Sequence, residues 1–432
     1  MVTSPNSALS RSLVTVVTRL KTTNIGNEAL SSELISLIKN KFPNYKICPL
    51  ERAPRFLDQY YSTMLSKDLA TALKQFEYWA QFIAKKISFI SPITLDKDFS
   101  SSVTLIRKNR TPSWKPFIEK KLHLRALKSR LGLYDDEMLK RLAIYQFSTL
   151  TILNPGGEFQ PKSIESALKI LLELRVAQIL GSKVGIVNFS YEIEDEFISM
   201  FFIKIISQFD FIRVRDSLSL QNLVSRGLDK NTASVIGDLV FLTEPESQDI
   251  SNSLTQKFNI TPNTVAVVIN TVLGTSSIND WARIINFLKE KYNDVALISN
   301  EISSDFPILQ SISRLTPTRI ISEQFSYRTY AALLRNFDLV VSSRLHTMIL
   351  SMLVNTTVVP IEPLNSRMKG QMEDIKYPIP VTSVFETDWT SQVIEIINST
   401  TLDKKLKQKI SELVEEQKVK ISQDFNFLET LW

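Results

Sequence analysis

An arginine and a histidine two residues apart follow an apolar segment that is typical of a buried strand. Arg344 and His346 come after the apolar residues 339–342, and a helical segment is predicted from Thr347. Arginine binds carboxylates or phosphates through paired hydrogen bonds, and a helix start adds N–H donors. Histidine exchanges protons near neutral pH. The segment therefore predicts an anion site with a proton donor. A structural alternative also stands, in which Arg344 pairs with a carboxylate of another domain and His346 caps a loop.

Three further loops follow predicted strands and lead into predicted helices. They are residues 24–27, residues 154–159 and the pair Arg215-Asp216. The second loop contains Gly156 and Gly157, the only adjacent glycines among the 10 in the chain. Such a step lets backbone N–H groups approach a ligand closely. Because ligands of open parallel sheets bind beyond the carboxyl ends of the strands, all four loops are candidates for one shared site.

The elements that must position these loops alternate between two patterns. Short β-branched segments such as residues 12–18 alternate with amphipathic helical segments such as residues 28–40. This alternation predicts an α/β fold with doubly wound parallel sheets, and 432 residues suit two domains. The polar residues 243–248 are the expected linker. Two such halves resemble the GT-B arrangement, in which two Rossmann-like domains face each other across a cleft.

The expected boundaries follow from that linker. Residues 1–243 form the N-terminal Rossmann-like domain, with a helical, basic insertion at about 53–140. Residues 244–401 form the C-terminal Rossmann-like domain. The charged helix in residues 402–432 is expected to pack back on the N-terminal domain.

The insertion carries most of the uneven charge. Residues 107–141 contain eleven basic and four acidic side chains, within a net charge of +6 for the chain. Such a block suits an anionic partner, such as membrane phosphates or a glycan, and a solvated helix face explains it equally well. No nucleic-acid-binding motif accompanies it, so we expect no nucleic-acid partner. Core packing is the favoured explanation for the aromatic residues in the helical segment 73–90.

Composition restricts the remaining chemistry. With the single cysteine Cys48 and two histidines, the chain can form neither an internal disulfide framework nor a Cys/His zinc site, and no metal is expected. We find no signal peptide and no apolar run that could span a membrane. A cytoplasmic protein is expected, with the inner membrane face as a candidate place of peripheral contact.

Several of these segments together resemble the polysaccharide pyruvyl transferase family. The resemblance rests on LVVSSRLHT at 339–347, followed by Pro360 and by Lys369-Gly370. It is supported by NIGNEA at 24–29, GGEF at 156–159, RDSLS at 215–219 and GD at 237–238, in the order of the family. One departure is Asn27, which stands where the family usually has aspartate.

The resemblance implies transfer of pyruvate from phosphoenolpyruvate to a sugar of a surface polysaccharide or its lipid-linked precursor. A ketal forms, phosphate is released and no cofactor is required. His346, as proton donor, and Arg344 are the implied catalytic residues. The implied donor-binding residues are Arg215, Ser343, Arg344, Leu345, His346, Lys369, Gly156 and Gly157. The implied acceptor-binding residues are Asn24, Gly26, Asn27, Glu28 and Glu158.

Two other functions remain open from the sequence. A nucleotide-sugar-dependent GT-B glycosyltransferase would need a carboxylate near the donor ribose, for which Glu362 is the candidate. A catalytically silent glycan-binding protein is supported mainly by Asn27 in place of aspartate.

Overall fold

The computed structural model describes residues 13–20, 22–51, 68–88, 142–270, 278–363 and 367–431. The strands in these ranges are β1 Leu13–Thr18, β2 Lys46–Glu51, β3 Ser148–Leu153, β4 Lys183–Phe189, β5 Phe211–Val214, β6 Ala233–Val235, β7 Thr264–Val268, β8 Asp294–Ile298, β9 Arg319–Ile321, β10 Leu339–Ser342, β11 Thr357–Glu362 and β12 Thr382–Ser383. The helices are α1 Ile25–Lys41, α2 Leu69–Ser88, α3 Ile164–Ile179, α4 Glu196–Ile206, α5 Ser217–Ser225, α6 Gln248–Lys257, α7 Ile278–Lys291, α8 Ile302–Leu315, α9 Tyr327–Leu334, α10 Leu345–Leu353, α11 Arg367–Asp374, α12 Trp389–Ser399 and α13 Lys404–Asp424. Short 3₁₀ helices span Ile144–Gln146, Pro161–Ser163, Leu239–Leu242 and Phe425–Leu431.

The strands form two six-stranded parallel sheets. The first has the order β2-β1-β3-β4-β5-β6, and the second has the order β12-β11-β10-β7-β8-β9. We call the elements around the first sheet the N-terminal lobe and those around the second sheet, up to α12, the C-terminal lobe. In each sheet the strand order reverses once, beside β1 and β3 or beside β7 and β10. The prediction of doubly wound α/β sheets is confirmed.

Burial explains why the strands are almost continuously apolar. Every residue of β7 and all but the first residue of β4 are buried, since helices cover both faces of the sheets. One apolar core includes Leu30 of α1 together with Val268 and Ile349 of the C-terminal lobe. The two lobes therefore share part of their core at the start of α1.

Two of the helices that follow the candidate loops begin earlier than the sequence patterns predict. The side chain of Asn24 caps α1, because its Oδ1 accepts hydrogen bonds from the N–H groups of Gly26 at 3.1 Å and Asn27 at 3.2 Å. Helix α10 begins at Leu345, directly after Arg344. Gly26, Asn27 and His346 consequently lie in first helical turns and not in loops. The N–H groups of Gly26 and Asn27 are taken up by the Asn24 cap, whereas no side chain caps α10, so its first N–H groups suit an anion.

Helix α2 is the part of the expected insertion that the structure describes. It packs against the N-terminal lobe, with Phe76 edge-on to Phe201 of α4 at a ring-centroid distance of 5.7 Å. Core packing thus accounts for Phe76, whereas Tyr78 on the opposite face is 60% exposed. The basic residues 107–141 lie outside the described residues. Among the helices that the structure describes, none combines the length and apolar character needed to cross a bilayer.

The C-terminal segment contacts both lobes. Helix α13 packs against α10 and against the 3₁₀ helix Leu239–Leu242. Beyond it, Phe427 lies on Phe211 of β5, with ring centroids 4.9 Å apart, and the guanidinium of Arg213 covers the same ring at 4.3 Å. Lys41 Nζ of α1 pairs with Glu429 Oε1 at 2.9 Å.

Candidate active site

The carboxyl ends of the two sheets meet at the places where their strand orders reverse. In the N-terminal lobe, β1 leads into the start of α1 and β3 leads into the glycine pair. In the C-terminal lobe, β10 leads into Arg344 and His346. Direct contacts join the two edges, since Asn24 Nδ2 donates to Glu301 Oε2 at 3.0 Å and Ile25 N donates to Asn300 O at 3.4 Å.

One buried carboxylate oxygen brings together an arginine and a histidine from the two lobes. Arg215 Nη1 donates to Asp238 Oδ2 at 3.3 Å, and His346 Nε2 lies 3.5 Å from the same oxygen. Arg215 is 2% exposed and Asp238 is 0% exposed. The structure therefore places two of the predicted site residues, 131 positions apart in sequence, around Asp238, to which the sequence analysis gave no role.

The surroundings of Asp238 favour its charged form. Burial alone would raise the pKa of this carboxyl, but the contacts with His346, the charge of Arg215 and the N–H of Val240 outweigh burial and hold the pKa below its ordinary value. Arg215 is fixed further by Ser190 Oγ, to which it donates, and by Asp216, whose Oδ2 lies 3.8 Å from its Nε. Arg215 and Asp238 are thus each held by several polar partners.

Arg344 has its carboxylate partner within its own lobe. Its Nη2 bonds to Oδ1 of Asp305, whose Oδ2 accepts hydrogen bonds from the N–H groups of Asn300 at 2.9 Å and Glu301 at 2.8 Å. Burial raises the pKa of Asp305, although Arg344 and these N–H groups oppose the rise. Arg344 therefore does not pair with a carboxylate of the other domain, as the structural alternative required. Its ion pair with Asp305 fixes it at the start of α10.

Two arginines at this edge keep a side-chain nitrogen without a hydrogen bond. Among the described residues, the buried atoms Arg215 Nε and Arg344 Nε have no hydrogen-bond acceptor, and the carboxylate oxygen Asp216 Oδ2 is 3.8 Å from Arg215 Nε. Buried polar atoms in folded proteins are nearly always paired, so such groups require an explanation. A bound anion is an explanation that suits the positive charge of these guanidinium groups.

Gly26 makes room for the imidazole of His346. A Cβ atom at position 26 would lie far inside van der Waals contact of His346 Nδ1 and Cγ. The predicted acceptor residue Gly26 therefore acts in this structure by letting α1 approach α10, and the imidazole lies between the start of α1 and Asp238.

We expect Gly26→Ala to destabilise the protein, although alanine is the better helix former. The added methyl group must displace the imidazole or separate the lobes, which costs about 1–3 kcal/mol of unfolding free energy by analogy with overpacked cores. Urea denaturation measures this cost. In the double variant Gly26→Ala/His346→Ala most of the loss should disappear, and an equal loss in both variants would show that the imidazole is not the obstacle.

The other predicted donor-binding residues have mixed surroundings. Ser343 Oγ accepts a hydrogen bond from Asn270 N at 2.7 Å and so orders the end of β7, while Leu345 packs against the core. The Lys369 side chain is 60% exposed, with Nζ 4.0 Å from Glu373 Oε1 on the same helix. Its position gives no support to a donor contact. Gly156, with φ of +58°, lies beside Asn27.

The predicted acceptor residues do not share one set of partners. Asn24 is engaged in capping α1 and in the contact with Glu301. Half-burial raises the pKa of Glu28, opposed by a hydrogen bond from the backbone of Tyr327. Glu158 is buried and paired with Arg19. Glu28 thus faces α9, whereas Glu158 belongs to the glycine loop.

Sequence reasoning missed three charged residues at this edge. Asp238 had a signal in the GD pair after a predicted strand, but Asp305 and Arg367 stand in no recognisable motif. Arg367, at the start of α11, reaches the loop that contains Gly157. The alternative ribose-binding residue, Glu362, directs its Oε2 to the N–H groups of Met368 at 2.5 Å and Lys369 at 3.1 Å, so it stabilises the start of α11.

Comparisons with solved structures identify the architecture. The chain is similar to a glycosyltransferase from Rickettsia africae (12% identity, 97% of each chain, TM-score 0.54). It is also similar to HepE of Anabaena in complex with UDP-glucose (10% identity, 97% of this chain and 100% of that chain, TM-score 0.55). A third similar structure is the UDP-forming α,α-trehalose-phosphate synthase of Burkholderia vietnamiensis (10% identity, 97% of this chain and 98% of that chain, TM-score 0.53). At these identities the likeness shows the fold alone, and the predicted GT-B-like arrangement is confirmed.

Comparison at the sequence level gives the family. None of the curated proteins matches the chain significantly. The family model of polysaccharide pyruvyl transferase, however, matches residues 24–365. That segment runs from the cap of α1 to three residues beyond the end of β11 and contains every predicted site residue except Lys369. This chain therefore belongs to the polysaccharide pyruvyl transferase family.

Proposed function

We propose that this protein, a member of a family of polysaccharide-modifying transferases, uses phosphoenolpyruvate as its donor and forms a ketal with two hydroxyls of one sugar. The sugar belongs to a surface polysaccharide or to its lipid-linked precursor. Both hydroxyl oxygens bond to C2 of the donor while the C2–O bond to phosphate breaks. The two hydroxyls lose two protons in total. The methylene carbon gains one proton, and the second leaves with phosphate. The proposal requires no cofactor.

The observation that carries the proposal is a pair of arginines, one from each lobe, that each keep a guanidinium nitrogen without a hydrogen bond. Arg215 follows β5 of the first sheet and Arg344 follows β10 of the second, and among the described residues the buried Nε of each has no hydrogen-bond acceptor. Phosphoenolpyruvate brings a carboxylate and a phosphate on adjacent positions. A small anion with two charged ends fits this pair better than a neutral sugar does.

The proposed roles follow from position. Arg344 and the free N–H groups at the start of α10 hold one anionic end, and Arg215 stabilises charge at the other end through its Nε. His346 donates the proton to the methylene carbon. Because Asp305 and Asp238 already fix the two guanidinium groups, little reorganisation is needed when charge develops on the leaving phosphate.

The acceptor is proposed to enter beside the glycine loop. Asn27 and Gly156 are neighbours there, and Glu158 follows in the same loop. Asn27 cannot act as a base, so Glu158 or Glu28 must accept the hydroxyl proton. The raised pKa of Glu28 makes its carboxylate a stronger base than an ordinary glutamate, whereas Glu158 belongs to the loop itself.

Ligand-dependent thermal stability tests the donor. We expect phosphoenolpyruvate to raise the Tm of the protein, because a ligand that binds only the folded state stabilises it, while UDP-glucose and GDP-mannose leave the Tm unchanged. Mass spectrometry of glycans incubated with protein and phosphoenolpyruvate should then show the gain of one pyruvate. Stabilisation by a nucleotide sugar alone would instead favour a glycosyltransferase, the activity suggested by the complex of HepE with UDP-glucose.

A further inference from the structure

A single arginine of the C-terminal lobe connects two loops of the N-terminal lobe. Arg367 Nε donates to Glu192 Oε1, and Arg367 Nη2 donates to Glu192 Oε2 at 3.1 Å and to Gln160 Oε1 at 2.8 Å. The Arg367 side chain is mostly buried, as is that of Glu192. The guanidinium plane therefore matches the carboxylate with two parallel hydrogen bonds, the geometry that arginine provides and lysine does not.

The glycine loop is shaped around this guanidinium. A Cβ atom at position 157 would lie 2.5 Å from Arg367 Nη1, closer than real contacts allow. Gly157 was predicted as a donor-binding residue in a loop whose backbone N–H groups approach the ligand closely. In the structure a side chain of the other lobe, Arg367, occupies the volume beside it.

The two loops held by Arg367 are also joined to each other. Phe159 and Tyr191 form an isolated parallel bridge, and Glu192 N donates to Phe159 O at 2.8 Å. Gln160 follows β3 and Glu192 follows β4, so a displacement of one loop moves the other. Arg367 of the C-terminal lobe bonds to a side chain of each loop, to Gln160 and to Glu192. Glu158 lies between Gly157 and Phe159, in the loop that Arg367 orders.

We propose that Arg367 is a positioning residue for the acceptor: it holds residues 156–160 against the C-terminal lobe and thereby places Glu158 for the sugar. The identity of the acceptor in this inference rests on the proposed function, whereas the role of Arg367 in holding the loop rests on the structure alone. The donor nitrogens are fixed by Asp238 and Asp305, which Arg367 does not contact. Loss of Arg367 should therefore weaken use of the acceptor while leaving phosphoenolpyruvate binding intact.

The chain offers a closely matched control. Arg175 of α3 donates from Nε and Nη2 to both oxygens of Glu77 at 2.9 and 3.0 Å, and from Nη1 to Gln178 Oε1 at 2.6 Å. It thus bonds to one glutamate and one glutamine, as Arg367 does, and is similarly buried. All its partners lie within the N-terminal lobe, so Arg175→Ala removes an equivalent set of bonds without separating the lobes.

Hydrogen exchange tests whether Arg367 holds residues 156–160 in place, and it does not require enzymatic activity. In Arg367→Ala we expect amides of residues 156–160 to exchange about tenfold faster than in the parent protein, since local opening becomes easier. Arg175→Ala should leave their exchange unchanged. The charge swap Arg367→Glu/Glu192→Arg should restore part of the protection. Unchanged exchange of residues 156–160 in Arg367→Ala would overturn the proposal.

Kinetics then test the link to the acceptor. Arg367→Ala is expected to raise the KM for the glycan acceptor about ten- to hundredfold, the scale of a displaced positioning group, with the KM for phosphoenolpyruvate unchanged. Arg367→Lys should recover little, because lysine cannot bond to both carboxylate oxygens in one plane. An equal rise in both KM values would contradict acceptor positioning. If the parent protein transfers no pyruvate, the proposed function fails, whereas the exchange result still decides the role of Arg367 in ordering the loop.

Discussion

Replacing His346 with alanine is expected to lower the rate of phosphate release from phosphoenolpyruvate by about 10²–10⁴-fold, the range typical of a positioned general acid. The imidazole lies in the first turn of α10, against Gly26 and 3.5 Å from Asp238 Oδ2. No other histidine exists among the described residues to replace it. Steady-state phosphate release measures kcat, and the thermal shift produced by phosphoenolpyruvate should persist in the variant.

Arg344→Ala provides the contrasting variant. Because Arg344 is proposed to hold the donor and not to transfer a proton, its loss should raise the KM for phosphoenolpyruvate and abolish the thermal shift. His346→Gln, which keeps a hydrogen-bonding side chain but cannot donate a proton near neutral pH, should be as slow as His346→Ala. A folded His346→Ala protein with the parent rate would show that the proton comes from another group. A parent protein without any phosphate release would favour a silent glycan-binding protein.

Asp238→Asn is expected to destabilise the folded protein by about 3–5 kcal/mol, the cost typical of removing one partner from a buried ion pair. The neutral amide leaves the buried guanidinium of Arg215 with Ser190 and with only the more distant carboxylate of Asp216, whose Oδ2 lies 3.8 Å from Nε. It also leaves His346 without its carboxylate. Urea denaturation at pH 7 measures the loss, and phosphate release should fall as well because Arg215 and His346 both lose their fixed orientation.

The pH dependence of this variant gives an independent check. The pKa of Asp238 is lower in the folded protein than its ordinary value, so its stabilising contribution is complete above the unfolded pKa of about 4. It is lost as the pH falls through the folded pKa. The difference in stability between the parent and Asp238→Asn should therefore shrink in acid. Asp229→Asn, an exposed carboxylate in the same lobe, should change stability by at most about 0.5 kcal/mol. A difference that does not depend on pH would contradict the ionised Asp238.

The periodicity of apolar residues was sufficient to predict the fold class. Buried parallel strands and amphipathic helices carry their signal locally, so β10 has the bounds predicted for the segment 339–342. The starts of α1 and α10 were predicted too late. At α1 the capping hydrogen bonds of Asn24 extend the helix over Gly26 and Asn27, residue types that favour loops.

The sequence was sufficient to predict which strand ends form the site, but not which side chains contact each other there. Arg215 and His346 follow strands of different sheets, and the general rule for such sheets places them at one cleft. The partner of each cation depends on three-dimensional packing, which is why Asp305 could not be chosen as the partner of Arg344. Arg367 was missed because its partners, Gln160 and Glu192, are more than 170 positions away and no local pattern marks it.

The glycines at 26 and 157 have a practical consequence for comparing relatives. Each is a place where a side chain of the opposite lobe occupies the volume that a methyl group would need. A homologue with a larger residue at either position cannot adopt this interlobe spacing unchanged. Reading those two alignment columns first would therefore separate sequences to which this geometry can be transferred from those that require their own structure.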